Sequence, residues 1–198
     1  MSYSITALTD DYYEGTNCLI NKFNIQNEEQ LAKIEASITL AKTAELERKP
    51  ICDSFDFEHY KQIHKYLFED LYEWAGKVRT VDISKKGTNF TSAENIETIA
   101  NACFGRLKNQ NYFKNIDFDN FIENIVDFYC STNMLHPFRE GNGRTQRIFI
   151  AQLIRFCGYD INFSEIDTDE LMVATIHSAN GITDYLRDIF KKHIERNL

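Results

Sequence analysis

Proline is nearly absent from this sequence, in which only Pro50 and Pro137 occur among 198 residues. Because proline lacks an amide donor and breaks helices, a chain so poor in it has room for long helices. Apolar residues recur at helical spacing over most of the chain, which supports the same conclusion. The sequence therefore predicts an all-α fold, a compact bundle of about seven or eight helices.

The expected helices begin and end at recognisable signals. Asn27 and Gln30 predict a helix cap with its capping-box partner, and Pro50 closes this first segment. A second helix is expected from about Asp56 to Gly76, with an apolar stripe along one face. Helical periodicity predicts further helices over about residues 96–107, 118–135, 144–158, 170–179 and 184–194.

One segment, at about residues 78–91, breaks the helical pattern. It alternates from Val78 to Ile83, and the stretch from Ser84 to Asn89 then supplies turn chemistry before Phe90. This pattern predicts one short β-hairpin, or flap, and it is the only β signal that the sequence offers. No linker or repeat divides the chain, so we expect a single domain over residues 1–198, with an irregular N-terminal extension over about 1–26.

Charge and composition exclude several classes of function. The 22 basic and 30 acidic residues give a formal charge of −8, the opposite of what phosphate neutralisation requires, so direct nucleic-acid binding is not expected. The five cysteines form no C-x-x-C pair, which favours small core residues in a reducing compartment. Neither a leader segment nor an apolar run of membrane-spanning length is apparent, so we expect a cytoplasmic protein with no membrane contact.

Residues 136–147 separate the two most apolar helices and predict an anion-binding loop. Pro137 disfavours helical geometry at His136, so the preceding helix must end just before it. Gly141 and Gly143 permit the positive φ angles that turn successive backbone N–H groups inward. Such a nest, followed directly by a helix N-terminus, is a suitable site for an anion.

Two arginines lie in the first turn of the helix that follows this loop. Arg144 and Arg147 are three residues apart and therefore share one face. Cations at a helix N-terminus oppose the helix dipole, which costs free energy unless an anion lies between them. A histidine, a carboxylate, two glycines and two arginines within this segment together predict a site for the phosphates of a nucleotide.

The same segment, H-P-F-R-E-G-N-G-R-T-Q-R, resembles in full the signature H-P-F-x-[DE]-G-N-G-R-x-x-R of Fic-domain proteins. Residues 57–76 resemble the family's helix ending in W-A-G, and residues 81–85 resemble its flap. Residues 15–17 together with 21–22 resemble the N-terminal segment of its bacterial toxin-like members. The resemblance covers nearly the whole chain up to about Gly158, and it implies the Fic fold.

The resemblance implies a protein adenylyltransferase, which moves AMP from ATP to a Tyr, Thr or Ser hydroxyl of a target protein and releases pyrophosphate. His136 would be the general base, a task that suits an imidazole with its ordinary pKa of about 6.5. Glu140 would hold Mg²⁺, a hard cation that prefers oxygen ligands. The ATP phosphates would be bound by Gly141, Asn142, Gly143, Arg144 and Arg147.

The resemblance implies a separate role for the flap, which would hold the target near His136. A β-edge can pair with an extended segment through main-chain hydrogen bonds, without demanding a particular side chain. Phe138 is expected to anchor the loop in the core, and Arg139 is given no role. The flap residues expected to bind the target are Val81, Asp82, Ile83, Ser84, Lys85 and Phe90.

Many Fic proteins are inhibited by a glutamate that pairs with the second motif arginine, here Arg147, from a segment [ST]-x-x-x-E-[GN]. Segments of this chain that approach the pattern each depart from it. They are Thr43–Glu47 followed by Arg48, Asp10–Glu14 with Asp in place of Ser or Thr, and the tail 191–198 with Lys191 at that place before Glu195. We therefore expect a small antitoxin protein to inhibit this chain in trans, as in a toxin–antitoxin pair. Bacterial toxin-like relatives suggest type II topoisomerase subunits as targets.

Other interpretations remain open at this point. Doc-type relatives transfer a phosphoryl group on the same fold, and they tend to carry Lys at the position of Gly143. Some Fic proteins transfer other nucleotide or phosphocholine groups. A catalytically idle interaction module belongs to a different class, which the complete motif disfavours. A metal hydrolase is weaker still, since His59 and His64 are five residues apart and no H-E-x-x-H motif exists.

Overall fold

The computed structural model describes residues 4–5, 11–51 and 54–196, and these form seven α-helices and two small antiparallel sheets. The all-α prediction is therefore confirmed for this part of the chain. Asp10 of the candidate inhibitory segment, Cys52 and the tail residues 197–198 lie outside the described residues, as do residues 1–3 and 6–9 of the expected N-terminal extension. No helix within these ranges is long and apolar enough to cross a membrane.

The helices begin close to the positions that the sequence predicts. The Asn27 side chain accepts a hydrogen bond from the Gln30 amide at 2.8 Å, and the Asp56 side chain accepts one from the His59 amide at 2.8 Å. Each cap satisfies a backbone donor that the first turn of a helix leaves unpaired. The helices, α1 to α7 in chain order, are Glu28–Arg48, Phe57–Phe68, Ile96–Asn109, Phe118–Leu135, Asn142–Phe156, Thr168–Ala179 and Asp184–His193.

The second helix is shorter than predicted, because α2 ends at Phe68 and not at Gly76. The chain continues in turns in which Leu71 and Tyr72 both donate their amides to the Phe68 carbonyl at 2.9 Å. Both of these side chains stay buried, so the apolar spacing persists although the helix does not. Gly76 then adopts a φ of +78° and donates its amide to the His64 ring on α2. Apolar periodicity alone does not distinguish a helix from turns packed on the same core.

The predicted hairpin is present, but it belongs to a three-stranded sheet. Strands β1, β2 and β3 span Ser4–Ile5, Ile83–Lys85 and Thr88–Asn89, and they lie in the order β1-β2-β3. A second pair, β4 at Tyr159–Ile161 and β5 at Ile194–Arg196, is antiparallel. The predicted hairpin is therefore confirmed, whereas nothing in the sequence indicated the second pair, since such short strands are too brief to show an alternating pattern.

The core between α2, α3, α4 and α5 contains a cluster of aromatic rings. Phe104 and Phe149 contact each other edge to face, with ring centroids 5.4 Å apart. The loop between α4 and α5 sends Phe138 into this cluster, where its ring stacks on Tyr60 at 5.7 Å. Phe138 has no exposed surface, so its predicted role as the anchor of the loop agrees with its position.

Candidate active site

His136 caps the C-terminus of α4 in a left-handed backbone conformation, with φ 41° and ψ 59°. Pro137 follows it and disfavours the helical region, as the sequence predicts. The ring nitrogen Nδ1 lies 2.9 Å from the carbonyl oxygen of Asn133. Because a carbonyl only accepts, Nδ1 carries the proton of the neutral ring and Nε2 is its basic nitrogen.

The imidazole of His136 is buried, with only 8% of the residue exposed. Burial lowers its pKa to about 3, and the nearby cations Lys85 and Arg79 act in the same direction. The Phe90 ring of the flap stacks on the imidazole, with centroids 3.7 Å apart. The ordinary pKa expected from the sequence is therefore not kept, and the ring is neutral at physiological pH, the state in which it can accept a proton.

Gly141 and Gly143 differ in a way that the sequence does not predict. Gly141 has a φ of +79°, and a Cβ on it would lie 2.2 Å from Cζ of Phe68. Gly143 lies inside the first turn of α5, outside the positive-φ region, so the expectation of positive φ at both glycines was wrong. The helix begins at Asn142, so its unpaired first-turn N–H groups lie at the loop.

The Asn142 side chain closes the loop. Its amide donates to the Phe138 carbonyl at 2.8 Å, and its oxygen accepts from the Phe138 amide at 2.8 Å. The residue is 3% exposed. Its side chain is therefore committed to the shape of the loop, and its backbone N–H is the group available to the expected phosphate site.

Glu140 presents a half-buried carboxylate at the N-terminus of α5. Its Oε1 accepts a hydrogen bond from the Gly141 amide at 2.9 Å and lies 3.9 Å from Nη2 of Arg144. Within the described residues, no group of three or more His, Cys, Asp or Glu side chains could hold a metal ion. Glu140 thus fits a single oxygen ligand for Mg²⁺, which commonly takes its other ligands from phosphates and water.

Arg144 does not point freely into the expected phosphate site. Its Nη2 is 2.5 Å from Oε1 of Glu35 on α1, and its Nη1 donates to the Thr39 hydroxyl at 3.2 Å. The other oxygen of Glu35 accepts a hydrogen bond from the Tyr72 hydroxyl. The guanidinium also lies over the Phe68 ring at 4.8 Å. The contact with Glu35 places Arg144 against α1, an arrangement that the sequence does not predict.

Arg147 differs from Arg144 because no carboxylate in the part of the chain that the structure describes forms an ion pair with it. Burial lowers its pKa, and the cation of Arg144 acts in the same direction. A Cβ on Gly143 would lie 3.3 Å from Nη1 of Arg147, so the guanidinium sits beside the first turn of α5. A half-buried cation of this kind has a strong need for an anion.

His136, Arg144 and Arg147 line one cavity of about 620 Å³. The volume is in the range of small-molecule sites. One wall is largely apolar and comes from α6, through Leu171, Met172, Thr175, Ile176 and Ala179. This wall was not predicted, although its side chains recur every four residues along one helical face. Thr43 and Glu47 of α1 lie at the same cavity.

The predicted flap residues divide into two groups. Lys85 and Phe90 line the cavity, whereas Val81, Asp82 and Ile83 form the base of the flap. The Val81 carbonyl accepts from Arg79, the Asp82 carboxylate accepts from the Ala93 amide, and Ile83 is 3% exposed. Ser84 lies in the middle strand, opposite Ser4 on one side and Asn89 on the other.

Arg79 was missed in the sequence analysis, although it joins the loop to the flap. It is 5% exposed, and its Nε donates to the His136 carbonyl at 2.9 Å. Its other guanidinium nitrogens donate to the carbonyls of Val81 and Thr91. Its backbone amide donates to the Pro137 carbonyl at 2.9 Å. One side chain therefore fixes both ends of the flap against the residue expected to be the base.

Arg139, which was given no role, is also buried, and it contacts the N-terminal segment. Its Nε lies 3.0 Å from a carboxylate oxygen of Asp11, and its guanidinium lies 5.0 Å from the centroid of the Tyr12 ring. These contacts fasten the N-terminal segment to the loop. The sequence gives no signal for them, because Asp11 and Arg139 are 128 residues apart.

Comparison with known proteins places these features in context. The model of the Fic/DOC family matches residues 54–154. Protein adenylyltransferase VbhT of Bartonella schoenbuchensis is 35% identical over 92% of this chain, which spans 40% of that protein's length. The probable protein adenylyltransferase Fic of Salmonella typhimurium is 34% identical, and the match spans 92% of this chain and 90% of that protein. The probable protein adenylyltransferase Fic of Escherichia coli is 32% identical, over 91% of this chain and 89% of that protein.

Two solved structures are also similar to this chain in fold. The BepC protein of Bartonella tribocorum, a VirB-translocated effector solved with bound AMPPNP, superposes with a TM-score of 0.89. The two are 25% identical, and the match covers 95% of this chain and 97% of BepC. The N-terminal Fic domain of a putative cell filamentation protein of Bartonella quintana, solved with bound ADP, also has a TM-score of 0.89, at 26% identity over 94% of this chain and 95% of that one.

Proposed function

The chain belongs to the Fic/DOC family and has its fold, and on that premise we propose that it transfers AMP from ATP to a Tyr, Thr or Ser hydroxyl of a target protein. One observation carries the proposal. The neutral imidazole of His136 and the guanidinium of Arg147 face the same cavity, at the N-terminus of α5. This combination joins a proton acceptor to a site for a polyphosphate.

His136 acts as the general base of the transfer. The Asn133 carbonyl holds the proton on Nδ1, so Nε2 accepts the proton of the target hydroxyl. The hydroxyl oxygen then forms a bond to the α-phosphorus as the bond from that phosphorus to the β-phosphate oxygen breaks. Pyrophosphate leaves with the electron pair of that bond. Arg79 keeps the His136 backbone in place during this step through its bond to the carbonyl.

The phosphates lie against the N-terminus of α5 and Arg147. The Gly141 amide and the first-turn amides donate to phosphate oxygens, and Arg147 supplies a full charge. Because Glu35 already neutralises Arg144, Arg147 makes the larger contribution to charge stabilisation. Glu140 would hold Mg²⁺, which when bound neutralises phosphate charge and stabilises the leaving group.

The apolar wall of α6 accommodates the nucleoside. Met172 and Ile176 offer apolar surface on which a purine can be buried, and Thr175 offers a hydroxyl. Adenine is favoured as the base because the relatives are named adenylyltransferases and the related structures hold AMPPNP and ADP.

The target adds to the flap as an extended segment. The middle strand β2 pairs with β1 on one side and with β3 on the other. The outer edge of β3 is therefore the preferred site, and Thr88 and Phe90, which lie at this strand, also line the cavity. A target strand at this edge brings its hydroxyl group towards His136.

Inhibition comes in trans, from a small antitoxin protein, and the chain acts as the toxin of that pair in the cytoplasm. Support comes from the absence of an ion pair to Arg147 among the described residues. Glu47 lines the same cavity but is not within ion-pair distance of Arg147. The family's bacterial toxin-like members suggest type II topoisomerase subunits as targets.

Parallel labelling experiments test the transfer itself. The purified chain is incubated with Mg²⁺, a bacterial lysate and ATP labelled at either the α- or the γ-phosphate. Transfer of the α-label that is lost in His136→Ala supports adenylylation. Transfer of only the γ-label would instead identify a Doc-like phosphotransferase. Absence of both labels would contradict an active, uninhibited adenylyltransferase and favour an interaction module.

A further inference from the structure

His64 of α2 makes two hydrogen bonds that join distant parts of the site. The residue has no exposed surface. Its Nδ1 accepts from the Gly76 amide at 2.8 Å, and its Nε2 lies 3.0 Å from the carbonyl oxygen of Glu140. Its ring stacks on Phe138 at a centroid distance of 3.8 Å, with only 14° between the planes. It therefore contacts the loop 136–147 from beneath.

The two partners fix the protonation of this ring. A backbone N–H only donates and a carbonyl only accepts, so Nδ1 is the acceptor and Nε2 carries the proton. Burial lowers the pKa of His64 to about 3, so the ring remains neutral over the physiological range. A neutral ring in this one tautomer satisfies both partners at once.

The bond to Glu140 determines the orientation of a peptide group. In a trans peptide the C=O of one residue and the N–H of the next point in opposite directions. Because the Glu140 carbonyl points to His64, the Gly141 N–H points away from α2. There it meets Oε1 of Glu140 at 2.9 Å, at the N-terminus of α5. A carboxylate oxygen thus already lies in front of this donor.

We propose that His64 is a positioning residue that holds the Glu140–Gly141 peptide with its N–H facing the anion site. This inference rests on the proposed function, in which that N–H donates to a phosphate. Gly141 has a φ of +79°, and glycine can adopt either sign of φ without a Cβ penalty. A glycine peptide is therefore able to rotate, and in the rotated form a carbonyl oxygen would face the phosphates and repel them.

Matched substitutions separate this role from simple packing. In His64→Asn the shorter side chain keeps an acceptor near Nδ1 for Gly76 and loses the donor to Glu140. In His64→Gln a donor remains near the position of Nε2. His59→Asn is the control, because His59 is also fully buried on α2 and packs against Phe55 and Phe149.

Nucleotide binding is measured by calorimetry with ATP and Mg²⁺, beside thermal unfolding of each variant. We expect His64→Asn to weaken ATP binding at least about tenfold, since the Gly141 N–H then loses its charge-assisted hydrogen bond to a phosphate. His64→Gln should recover most of the affinity. His59→Asn should lower the melting temperature while the affinity of the folded protein is retained. Equal ATP affinity in folded His64→Asn and wild type would overturn the proposal.

A second readout needs neither nucleotide nor transfer. The amide resonance of Gly141 in a ¹H–¹⁵N spectrum is sensitive to the orientation and hydrogen bonding of its peptide. It should shift in His64→Asn, return towards the wild-type position in His64→Gln and stay in place in His59→Asn. An unmoved Gly141 resonance in His64→Asn would overturn the positioning role, even if AMP transfer is observed. If the variants show this shift pattern and the wild type transfers no AMP, the result would instead contradict the proposed function alone.

Discussion

The carboxylate of Glu35 on α1 forms an ion pair with Arg144 on α5, whereas Arg147, one turn further along the same helix, has no carboxylate partner among the described residues. The two motif arginines are therefore not equivalent. Arg144 is held by a nearly buried partner on another helix. Arg147 is the cation whose charge is left for a bound anion.

Arg147→Ala should therefore reduce ATP binding without reducing stability. Loss of a charged hydrogen-bond donor to phosphate is expected to weaken binding by about 10- to 100-fold. The free energy of unfolding should stay level or rise, because an uncompensated, half-buried cation is removed. Calorimetry with ATP and urea unfolding measure the two quantities.

Arg144→Ala is the matched comparison. It leaves the carboxylate of Glu35, which is 12% exposed, without its cation, so the unfolding free energy should fall by about 2 kcal/mol or more. The double variant Glu35→Gln with Arg144→Ala should recover part of that loss. Similar stability losses in Arg144→Ala and Arg147→Ala would show that the arginines are equivalent after all.

Gly141→Ala should destabilise the protein strongly. The new Cβ would lie 2.2 Å from Phe68, at a φ of +79° that disfavours any side chain. Overpacking and backbone strain together should cost about 2–5 kcal/mol in the free energy of unfolding. Gly87→Ala is the control, because its φ is +80° and nothing lies within 4 Å of its Cβ. Urea unfolding should show a loss of only about 1 kcal/mol there; equal losses would mean that the Phe68 contact is relieved.

Two buried histidines should make stability depend on pH. Burial lowers the pKa of His136 and His64 to about 3, while both titrate near 6.5 in the unfolded chain. As the pH falls below 6.5, the unfolded state therefore binds more protons than the folded state. The contribution of these two groups to the free energy of unfolding is fully present above pH 6.5 and is lost as the pH falls towards 3. Each group contributes a slope of up to about 1.4 kcal/mol per pH unit.

Urea unfolding between pH 7.5 and 4.5 measures this slope, mostly above the range where carboxylates titrate. His136→Ala should make the slope shallower by the contribution of one group. The acidic limb of kcat/KM should also lie below pH 5, because this quantity reports the free enzyme. An acidic limb near pH 6.5, or an unchanged slope in His136→Ala, would contradict the lowered pKa of that residue.

Arg79→Leu should disconnect the flap from the loop. The substitution removes side-chain hydrogen bonds to three carbonyls, those of His136, Val81 and Thr91. Leaving buried carbonyls unpaired should cost about 2–4 kcal/mol in the free energy of unfolding. Arg79→Lys should recover little, because an ammonium group cannot reach three carbonyls in one plane. Arg106→Leu, at a half-exposed ion pair with Asp127, serves as the control and should change stability by less than about 1 kcal/mol. A similarly small loss in Arg79→Leu would contradict the role of Arg79 in joining the flap to the loop.

Local signals of the sequence predicted the features that depend on neighbours in the chain. Asn27 and Asp56 form the caps that begin α1 and α2, and Pro137 ends α4. Each of these effects acts within a few residues, so it can be recognised without tertiary structure. The position of His136 at the helix end followed from the same kind of signal.

The contacts that organise the site could not be predicted in this way. Glu35 and Arg144 are 109 residues apart, His64 and Glu140 are 76 apart, and Arg79 and His136 are 57 apart. In sequence, nothing near Glu35 or His64 indicates a partner on the loop 136–147. Only the packing of α1 and α2 against the loop gives these side chains their partners.

Trans inhibition predicts that the purified chain is active without further treatment. Glu47 lies at the cavity, but it forms no ion pair with Arg147, so it leaves the site of the γ-phosphate open. The α-label should therefore be transferred at the same rate by wild type and by Glu47→Gly. Glu14→Gly tests the other candidate glutamate, at an exposed position of the N-terminal segment, and should also match the wild type. A purified chain that is inactive until either glutamate is replaced would establish inhibition from within the chain.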